Sequence, residues 1–368
     1  MSARSARPAA RFDDVLKIAV LRGGGLGDLI FAFPAIDALA AAYPEAEIVL
    51  LGTSLHRRLL AGRPGPVARV EELPRVPGVH GPDDGVEDVV SAQRFVRRMR
   101  AERFDLACQL HGGGRNSNPF LARLNAAHTI GTRTPDAPPL ERALPYLYFQ
   151  HEVARWLETV ALAGARPVRW EPRLFVSDAE RRDARALFAG DRERLVVVHP
   201  GATDPRRRWP AERFAEVAAR CAEHGARVLV IGDESEAALA ETVAVGADRR
   251  VPGSVASLAG RLDMADLPGL IAAADVFVGN DSGPRHLAQA VDTPTASVFW
   301  AGNMINGGPM TRGRHRVQIS WTTHCPVCGR DATQVGWTAE RCAHDVSFVA
   351  DVSTDALYDD VRDLLSAA

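Results

Sequence analysis

The sequence predicts an α/β fold class with two doubly wound parallel-sheet domains, and three observations lead to this prediction. The chain has 368 residues, which at roughly 150 residues per domain corresponds to about two domains. Short apolar, β-branched runs alternate with segments of helical length. No two-residue hairpin turn joins these runs, so the strands are expected to be parallel and covered by helices on both faces.

The elements follow this alternation in order along the chain. Predicted strands lie at residues 17–21, 47–51, 104–110, 195–199, 227–231, 275–278 and 295–299. The spacing of apolar residues predicts helices at 29–42, 152–162, 211–224 and 354–365. The proline-rich segment 133–145 is predicted to be a loop, and the irregular segment 164–172 to be the interdomain linker. We therefore expect domains at 1–170 and 171–352, followed by a final helical segment at 353–368.

The composition excludes several classes of function. The net charge is −2, from 44 basic and 46 acidic residues, so no basic field is present to attract nucleic acid. Lys17 is the only lysine, which argues against P-loop and pyridoxal-phosphate enzymes and makes arginine the expected cation for phosphate. The Arg-rich N-terminus lacks the apolar core of a signal peptide. This predicts a cytoplasmic protein with at most peripheral membrane contact.

A glycine-rich segment follows the first predicted strand and opens the first helix. Gly23, Gly25 and Gly27 precede Asp28, which stands where a dinucleotide fingerprint has its third glycine, so an NAD site is only weakly indicated. A carboxylate at a helix N-terminus fits a capping role. At the carboxyl end of a parallel strand it fits a general base equally well.

Three arginines follow the strand that ends at His199. The small-residue loop after it contains Gly201 and Thr203 and leads to Arg206, Arg207 and Arg208. Adjacent arginines at a strand end favour binding of a diphosphate, because guanidinium groups bond phosphate oxygens in pairs. A solvated run of charge is the alternative.

Two more strand ends carry polar groups. Asp281, Ser282 and Gly283 are followed by Pro284 and His286, a pattern that places backbone amides of a helix N-terminus where phosphate can bind. Turn and cap residues are the alternative. The acidic segment 233–236 follows another strand, and Glu234 or Glu236 could bond ribose hydroxyls or could simply begin a helix.

Together these motifs resemble those of glycosyltransferase family 9, the heptosyltransferase family with the GT-B fold. Sequences of that family share a turn ending in G-D, an H-P-G-A loop leading to K-R-W-P, and a D-S-G-x-x-H element. This chain has Gly27-Asp28, His199 to Ala202 followed by Arg207 to Pro210, and Asp281 to Gly283 with His286. The resemblance runs from about Lys17 to the final helix.

The resemblance implies a GT-B enzyme whose two Rossmann-like domains face a central cleft, with the final helix packed back on the N-terminal domain. It implies inverting transfer of a heptose or related sugar from ADP-heptose to a glycan, glycolipid or small glycoside, with no cofactor required for catalysis. Asp28 becomes the candidate base. The implied donor-binding residues are Gly201, Thr203, Arg207, Arg208, Glu234, Glu236, Asp281, Ser282, Gly283 and His286, and the acceptor-binding candidates are Gly25, Gly27, His111 and Arg115.

His111 and Arg115 belong to a loop that follows the third predicted strand, and an exposed loop without function is the alternative. Its three glycines depart from the bulkier family pattern, which leaves open an acceptor other than a lipopolysaccharide core. Two further functions also stay open. One is a nucleotide-dependent oxidoreductase or epimerase that uses the glycine turn, and the other is a non-catalytic relative that binds nucleotide sugar.

The five cysteines are too unevenly spaced for a disulfide framework. Cys108 and Cys221 are predicted to be core residues. Cys325, Cys328, Cys342 and His344 offer three thiolates and an imidazole in a form that resembles a zinc knuckle, with His324 as an alternative fourth ligand. They predict a structural Zn²⁺ or iron site, and reduced thiols are the alternative. The cysteine-ligated iron finger of some heptosyltransferases that modify autotransporters is a looser resemblance.

Overall fold

The computed structural model describes residues 9–82, 85–190, 193–333 and 341–367. The chain forms two compact units, Met1–Pro172 and Arg173–Ala368. The Arg-rich residues 1–8 lie outside the described part of the chain. In the part that is described, no helix is both long enough and apolar enough to cross a bilayer.

The first unit contains one parallel six-stranded sheet. Its strands are β1 (Lys17–Leu21), β2 (Glu47–Gly52), β3 (Val67–Glu72), β4 (Leu106–Gln109), β5 (His128–Arg133) and β6 (Arg142–Pro145), in the order β3-β2-β1-β4-β5-β6. Its helices are α1 (Leu26–Ala42), α2 (Ser54–Leu60), α3 (Val89–Ala101), α4 (Ser117–Ala122) and α5 (Glu152–Ala161). The inner strands β1, β2 and β4 are buried on both faces, as their continuous apolar sequences require.

The second unit repeats this plan. Its strands are β7 (Arg194–His199), β8 (Ala226–Val230), β9 (Val255–Ser257), β10 (Val276–Asn280), β11 (Thr295–Trp300) and β12 (His315–Ser320), in the order β12-β11-β10-β7-β8-β9. Its helices are α6 (Asp178–Phe188), α7 (Ala211–Glu223), α8 (Ala237–Asp248), α9 (Leu267–Ala273), α10 (Gly283–Ala290), α11 (Ala301–Gly307) and α12 (Thr354–Ser366). Short 3₁₀ turns occupy Pro205–Arg207 and Glu234–Glu236.

The α/β class and the parallel sheets are confirmed. In each sheet the strand order reverses between two central neighbours, β1 and β4 in the first unit and β7 and β10 in the second. Ligands of open α/β sheets bind outside the carboxyl ends of the strands at such a switch point. The glycine-rich segment follows β1, the loop with His111 follows β4, the histidine motif begins at the last residue of β7, and the Asp-Ser-Gly motif follows β10.

Two predictions about elements in the first unit are corrected. The segment predicted to be a proline-rich loop ends in β6, which pairs with β5 at the sheet edge. Pro145 is tolerated there because it lies at the last position of an edge strand, where a missing N–H breaks no inner ladder. Helix α1 begins at Leu26 rather than at residue 29.

The packing of the final helix on the N-terminal domain stays a prediction. Helix α12 belongs to the second unit and contacts α7, β10, β11 and β12. Leu357, Tyr358, Val361 and Leu364 form its buried face and join the core that contains Trp209 and Phe348. This apolar stripe, together with an ion pair of 2.7 Å between Arg220 and Asp355, fixes the helix there.

Candidate functional site

The glycine turn, residues 23–25, leaves β1 along a path that requires glycine at its first two positions. A Cβ atom on Gly23 would lie 1.9 Å from the carbonyl oxygen of Val79, a backbone atom that cannot easily move away. Gly24 has a φ of 86°, in the left-handed region that favours glycine. Gly23 and Gly24 are therefore required by the path of the backbone itself.

His56, on α2, holds the glycine turn in place. Its buried ring accepts a hydrogen bond from the N–H of Thr53 at Nδ1 (3.2 Å), and its Nε2 lies 3.2 Å from the carbonyl oxygen of Gly25. Burial lowers the pKa of His56 to about 4, against the hydrogen bond to Gly25, which raises it. The imidazole is thus neutral at pH 7 and carries its proton on Nε2, which donates to Gly25.

Asp28 is the third residue of α1, and Gly25 occupies the N-cap position. The Oδ2 atom of Asp28 accepts a hydrogen bond from the N–H of Gly25 at 2.8 Å, and its Oδ1 lies 2.9 Å from Nη2 of Arg22. The side chain is nevertheless 51% exposed. The capping and catalytic interpretations are therefore compatible, because this carboxylate supports the turn and still presents accessible oxygen.

Arg22 joins two strand ends beside Asp28. Its buried guanidinium donates to the carbonyl oxygen of Leu110, which follows β4, and to that of Asp28, both at 2.7 Å. Its Nη2 lies 3.6 Å from Oε2 of Glu152, at the start of α5, and its Cζ lies 4.9 Å from the centre of the Trp156 ring. Arg22 thus fixes the position of Asp28 from the interior of the unit.

Glu152 is a largely buried carboxylate between two arginines. Burial raises its pKa, and the charges of Arg22 and Arg155 oppose that rise. Nη1 of Arg155 donates to Oε1 of Glu152 at 2.7 Å. Removal of either arginine would leave the buried carboxylate with one of its two cationic partners, which is expected to destabilise the folded unit.

The predicted acceptor residues have different surroundings. Nε2 of His111 lies 3.1 Å from the carbonyl oxygen of Gly78, and its ring borders the glycine turn at Gly23. Arg115 is 78% exposed and forms an ion pair of 3.6 Å with Asp136. His111 is therefore brought to the turn that carries Asp28, whereas Arg115 lies in an exposed loop.

Asp281 is the centre of a polar cluster at the end of β10. Its Oδ2 accepts hydrogen bonds from Nη1 of Arg207 (3.0 Å) and Nδ2 of Asn303 (2.8 Å), and its Oδ1 lies 3.0 Å from Nε2 of His286. Burial would raise the pKa of Asp281, but hydrogen bonds and charges from His286 and Arg207 outweigh burial and lower it to about 2. Asp281 is therefore ionised and holds Arg207 at the strand end.

His286 donates to Asp281 because Arg285 determines its tautomer. Nη1 of the buried Arg285 lies 3.3 Å from Nδ1 of His286, and a guanidinium can only donate. The imidazole proton is therefore on Nε2. Burial lowers the pKa of His286, against the effect of Asp281, so the ring is neutral at pH 7.

His199 connects the other two strand-end motifs of the second unit. Its Nδ1 lies 3.0 Å from Oγ of Ser282, and its Nε2 lies 3.1 Å from Oε2 of Glu236. A Cβ atom on Gly201 would lie 1.8 Å from Oε1 of Glu236, so the missing side chain makes room for that carboxylate. Burial raises the pKa of Glu236, but the hydrogen bond and charge of His199 outweigh burial and lower it.

Helix α10 begins at Gly283 with an N-terminus that no side chain caps. Ser282 occupies the N-cap position, but its hydroxyl contacts His199 rather than the amides of the first turn. Pro284 follows at the second helical position, where it fits without loss of a hydrogen bond. An N-terminus of this kind offers backbone N–H groups and a favourable dipole to a phosphate.

The remaining predicted donor residues are less enclosed. Nε of Arg208 donates to the carbonyl oxygen of Ala202 at 2.8 Å. Thr203 and Glu234 are exposed. Of the two glutamates proposed from the sequence, the structure therefore brings Glu236 into the cluster and leaves Glu234 at the surface.

Asn280 connects the loop that follows His199 to the end of β10, where the Asp281-Ser282-Gly283 segment begins. Its buried amide donates to the carbonyl oxygen of Pro200 at 2.7 Å and accepts from the N–H of Trp209 at 3.0 Å. Trp209 is itself buried, with its Nε1 3.2 Å from the carbonyl oxygen of Val352. The loop of residues 200–209, called the donor loop below, is thus anchored at both ends to β10.

The three cysteines and His344 form one cluster, called the knuckle below (Cys325, Cys328, Cys342 and His344). Their four ligand atoms all lie within 4.8 Å of one another, and Sγ of Cys325 lies 3.8 Å from Nδ1 of His344. Four ligands on a tetrahedron around Zn²⁺, with Zn–S distances of about 2.3 Å, would lie roughly 3.8 Å apart. The residues therefore fit a tetrahedral Zn²⁺ or iron ion, with His344 rather than His324 as the fourth ligand.

Cys325 has a lowered pKa that favours its thiolate form at neutral pH. Hydrogen bonds from the backbone N–H groups of Cys328 and Val327 lower its pKa to about 6. The N–H of Gly329, which has a φ of 69°, donates to the carbonyl oxygen of Cys325 at 2.9 Å and closes the turn. Metals bind thiolates, so this turn favours metal binding at neutral pH.

The other two cysteines are core residues, as predicted. Cys108 and Cys221 are buried, and burial raises the pKa of both thiols. They are therefore expected to stay protonated and unreactive.

Sequence reasoning missed five side chains that organise these clusters: Arg22, His56, Glu152, Asn280 and Asn303. Arg22 and Asn280 lie inside the motifs that were singled out, so their position next to Gly23 and Asp281 was an available signal. Glu152 and Asn303 contact the clusters from elements distant in the sequence. No local pattern could have indicated them.

Comparison with known proteins gives a consistent result. A sequence model of glycosyltransferase family 9 (heptosyltransferase) matches residues 92–333. Lipopolysaccharide heptosyltransferase 2 of Salmonella typhimurium is 27% identical over 298 residues, which cover 77% of this chain and 82% of that protein. The family model alone spans about two thirds of the chain.

Solved structures agree with this result at the level of the fold. E. coli ADP-heptose lps heptosyltransferase II matches with a TM-score of 0.75 at 20% identity, covering 96% of this chain and 99% of that one. The iron-containing heptosyltransferase TibC of enterotoxigenic E. coli, solved as a dodecamer with ADP-D-beta-D-heptose, matches with a TM-score of 0.56 at 15% identity, covering 97% and 78%. The predicted GT-B fold is confirmed by these likenesses.

Proposed function

Because the chain belongs to glycosyltransferase family 9, the heptosyltransferase family, and is therefore a glycosyltransferase, we propose that it transfers a heptose or a related sugar from ADP-heptose. The reaction inverts the anomeric centre and uses no catalytic metal. The acceptor is a hydroxyl of a glycan, glycolipid or small glycoside. A cytoplasmic location with at most peripheral membrane contact belongs to the same proposal.

One observation carries this proposal: a guanidinium and an uncapped helix N-terminus lie at the switch point of the second unit. Arg207 is held by Asp281, one residue before the N-cap of α10. Departure of ADP places negative charge on a diphosphate, and fixed cations and amide dipoles stabilise such charge without a metal ion. Arg207, Ser282 and Gly283 are therefore assigned to the diphosphate, with Arg208 and Thr203 nearby on the donor loop.

Glu236 is assigned to the ribose of the donor. Its carboxylate is ionised, is fixed by His199 and fills the space beside Gly201. A carboxylate at the end of the second strand of a Rossmann-like unit is well placed for ribose hydroxyls. Glu234, on the same turn, is the alternative if the bound nucleotide reaches further out.

Asp28 is assigned as the base. It takes the proton of the acceptor hydroxyl while the new bond forms between the acceptor oxygen and the anomeric carbon. The bond from that carbon to the diphosphate breaks on the opposite side, and ADP leaves with the electron pair, which inverts the configuration. Arg22 and Gly25 hold Asp28 in a fixed orientation for this transfer. The assigned acceptor residues around it are Gly25, Gly27 and His111. Arg115 lies further along the loop that carries His111.

A dinucleotide at the glycine turn is less well supported by the geometry. The N–H of Gly25, which would receive a pyrophosphate oxygen, already donates to Asp28. A second negative group at this position would repel that carboxylate. The oxidoreductase alternative would therefore require Asp28 to move or to be protonated.

The knuckle is assigned to a structural Zn²⁺ or iron ion held by Cys325, Cys328, Cys342 and His344. When bound, the ion supplies a cross-link between the two parts of the chain that carry these ligands. It takes no part in the transfer reaction. Stoichiometric metal in the purified protein, measured by elemental analysis, is the expected result.

Calorimetric titration of the full chain with ADP, UDP, GDP and NAD tests the proposal. We expect selective binding of ADP, followed by consumption of ADP-heptose when an acceptor panel is added. Selective binding of NAD would favour the oxidoreductase alternative. Binding of ADP without turnover on any acceptor would favour a non-catalytic nucleotide-sugar-binding protein.

A further inference from the structure

The knuckle and the donor loop are in direct contact within the second unit. The N–H of Phe348, four residues after His344, donates to the carbonyl oxygen of Arg206 at 2.7 Å. The guanidinium of Arg206 lies over the Phe348 ring, 5.6 Å from its centre. Arg341, which directly precedes Cys342, approaches Asp204 to 3.9 Å and also pairs with Asp345.

Asp204 determines the conformation of the turn that presents Arg207. Its carboxylate accepts hydrogen bonds from the backbone N–H of Arg206 at 3.0 Å and from the Arg206 guanidinium at 2.5 to 3.0 Å. Its carbonyl oxygen accepts from the N–H of Arg207 at 3.0 Å. The segment 341–348 thus touches the two residues that form the turn, and Arg207 is the next residue along.

Phe348 is itself firmly fixed. It is 1% exposed, lies in the core that contains Cys325, and packs edge-on against Trp300 with ring centres 5.6 Å apart. Its carbonyl oxygen accepts from Oγ of Ser320 at 2.6 Å. The position of the segment between Arg341 and Phe348 therefore depends on two anchors, the core at Phe348 and the knuckle at Cys342 and His344.

We propose that a tetrahedral metal ion in the knuckle sets the donor loop in its binding conformation, with Arg341 and Phe348 as the positioning residues. The ion joins Cys342 and His344 to Cys325 and Cys328, which holds Arg341 against Asp204. Asp204 then holds the turn that presents Arg207. This inference rests on the proposed binding of the ADP part of the donor, and it makes donor affinity depend on metal occupancy although the metal does not touch the donor.

The test compares the full chain as loaded with Zn²⁺ or Fe²⁺, after dialysis against a chelator, and after the ion is added back. We expect one ion per chain in the loaded protein and at least a tenfold weaker affinity for ADP after removal, restored by addition of the ion. Amide hydrogen exchange should become faster at residues 204–208 and stay unchanged in β7 and β8. The exchange measurement needs neither nucleotide nor turnover.

Arg341→Gln separates positioning from metal binding. The variant keeps all four ligands, so we expect one ion per chain, faster exchange at 204–208 and a three- to fivefold loss of ADP affinity. Arg362→Gln is the matched control, because Arg362 is an exposed arginine of the same unit whose ion pair within the described residues is local, with Asp359 at 2.9 Å. It should leave all three readouts unchanged.

The chelator effect should shrink in an Arg207→Ala background, because the turn that Asp204 holds then no longer presents the Arg207 guanidinium. This inference would be overturned if metal removal changed neither the ADP affinity nor the amide exchange of the loop. It would also be overturned if neither Zn²⁺ nor Fe²⁺ bound to the protein. Both results would leave the proposed function intact. Failure of the metal-loaded protein to bind ADP at all would overturn the proposed function as well.

Discussion

The two units have the same sheet topology, yet their switch points carry opposite chemistry. At the first, the loop after β1 is occupied by the chain's own carboxylate, since Asp28 accepts from Gly25 and pairs with Arg22. At the second, the loops after β7 and β10 carry Arg207 and an uncapped helix N-terminus. One site therefore has a half-exposed carboxylate, and the other has a guanidinium beside an uncapped helix N-terminus. The fold supplies the positions, and the residues at the strand ends decide the chemistry.

Asp28→Ala is expected to give the largest effect, a loss of turnover, because it removes the carboxylate that distinguishes the switch point of the first unit. Loss of a general base reduces turnover by about 10²–10⁴-fold, whereas affinity for ADP should be unchanged because the proposed donor contacts lie in the other unit. Steady-state transfer and ADP titration measure the two quantities. Glu45→Ala, an exposed carboxylate of the same unit, is the control and should leave both unchanged.

Arg207→Ala should weaken ADP binding, because it removes the guanidinium that distinguishes the switch point of the second unit. A hydrogen bond to a charged group contributes about 1.5–3 kcal/mol, so ADP affinity is expected to fall about tenfold to a hundredfold. Arg207→Lys should recover part of it, because the charge returns without the paired geometry. Equal ADP affinity in the wild type and the Ala variant would remove Arg207 from the donor site.

The pH dependence of the free energy of unfolding tests the role of His56, which holds the glycine turn of the first unit. Its folded pKa of about 4 lies below the ordinary value of 6.5, so the stability it contributes is present above pH 6.5 and is lost as the pH falls towards 4. Between pH 7.5 and 5 the loss is about 2 kcal/mol. Urea unfolding at the two pH values should show it. His56→Gln should reduce the dependence by about this amount and leave the part due to other buried histidines such as His286, and an unaltered slope would contradict the assignment.

The smallest expected effects come from one alanine in each unit. On Gly23 a Cβ atom meets the backbone at Val79, whereas on Gly201 it meets the end of the Glu236 side chain. Gly23→Ala should therefore destabilise the protein by about 1–3 kcal/mol. Gly201→Ala should fold normally and weaken ADP binding several-fold, because Glu236 is displaced. Thermal unfolding and calorimetry distinguish the two, and a reversal of these outcomes would contradict the packing described.

The central strands and the strand-end motifs could be predicted because both are local. Inner strands of a parallel sheet are continuous apolar runs, and their ends carry the residues that bind ligands. The edge strands β3, β6, β9 and β12 and the inner strand β5 were missed because they are short or only partly buried. The proline at the end of β6 also made that segment look like a loop.

Positions set by distant parts of the chain could not be predicted. The apolar face of α12 was visible as spacing, but spacing does not say which groove receives it. Arg22 reaches Leu110 and Glu152, which are far away in the sequence. Similarly, the choice of His344 rather than His324 in the knuckle depends on how the chain returns to Cys325.

The division of chemistry between the two units is tested most directly by titration of ADP into the wild type, Asp28→Ala and Arg207→Ala proteins under identical conditions. We expect equal ADP affinities for the wild type and Asp28→Ala, and an ADP affinity at least tenfold weaker for Arg207→Ala. An affinity that falls with Asp28→Ala and is unchanged with Arg207→Ala would place the nucleotide at the glycine turn and contradict the account.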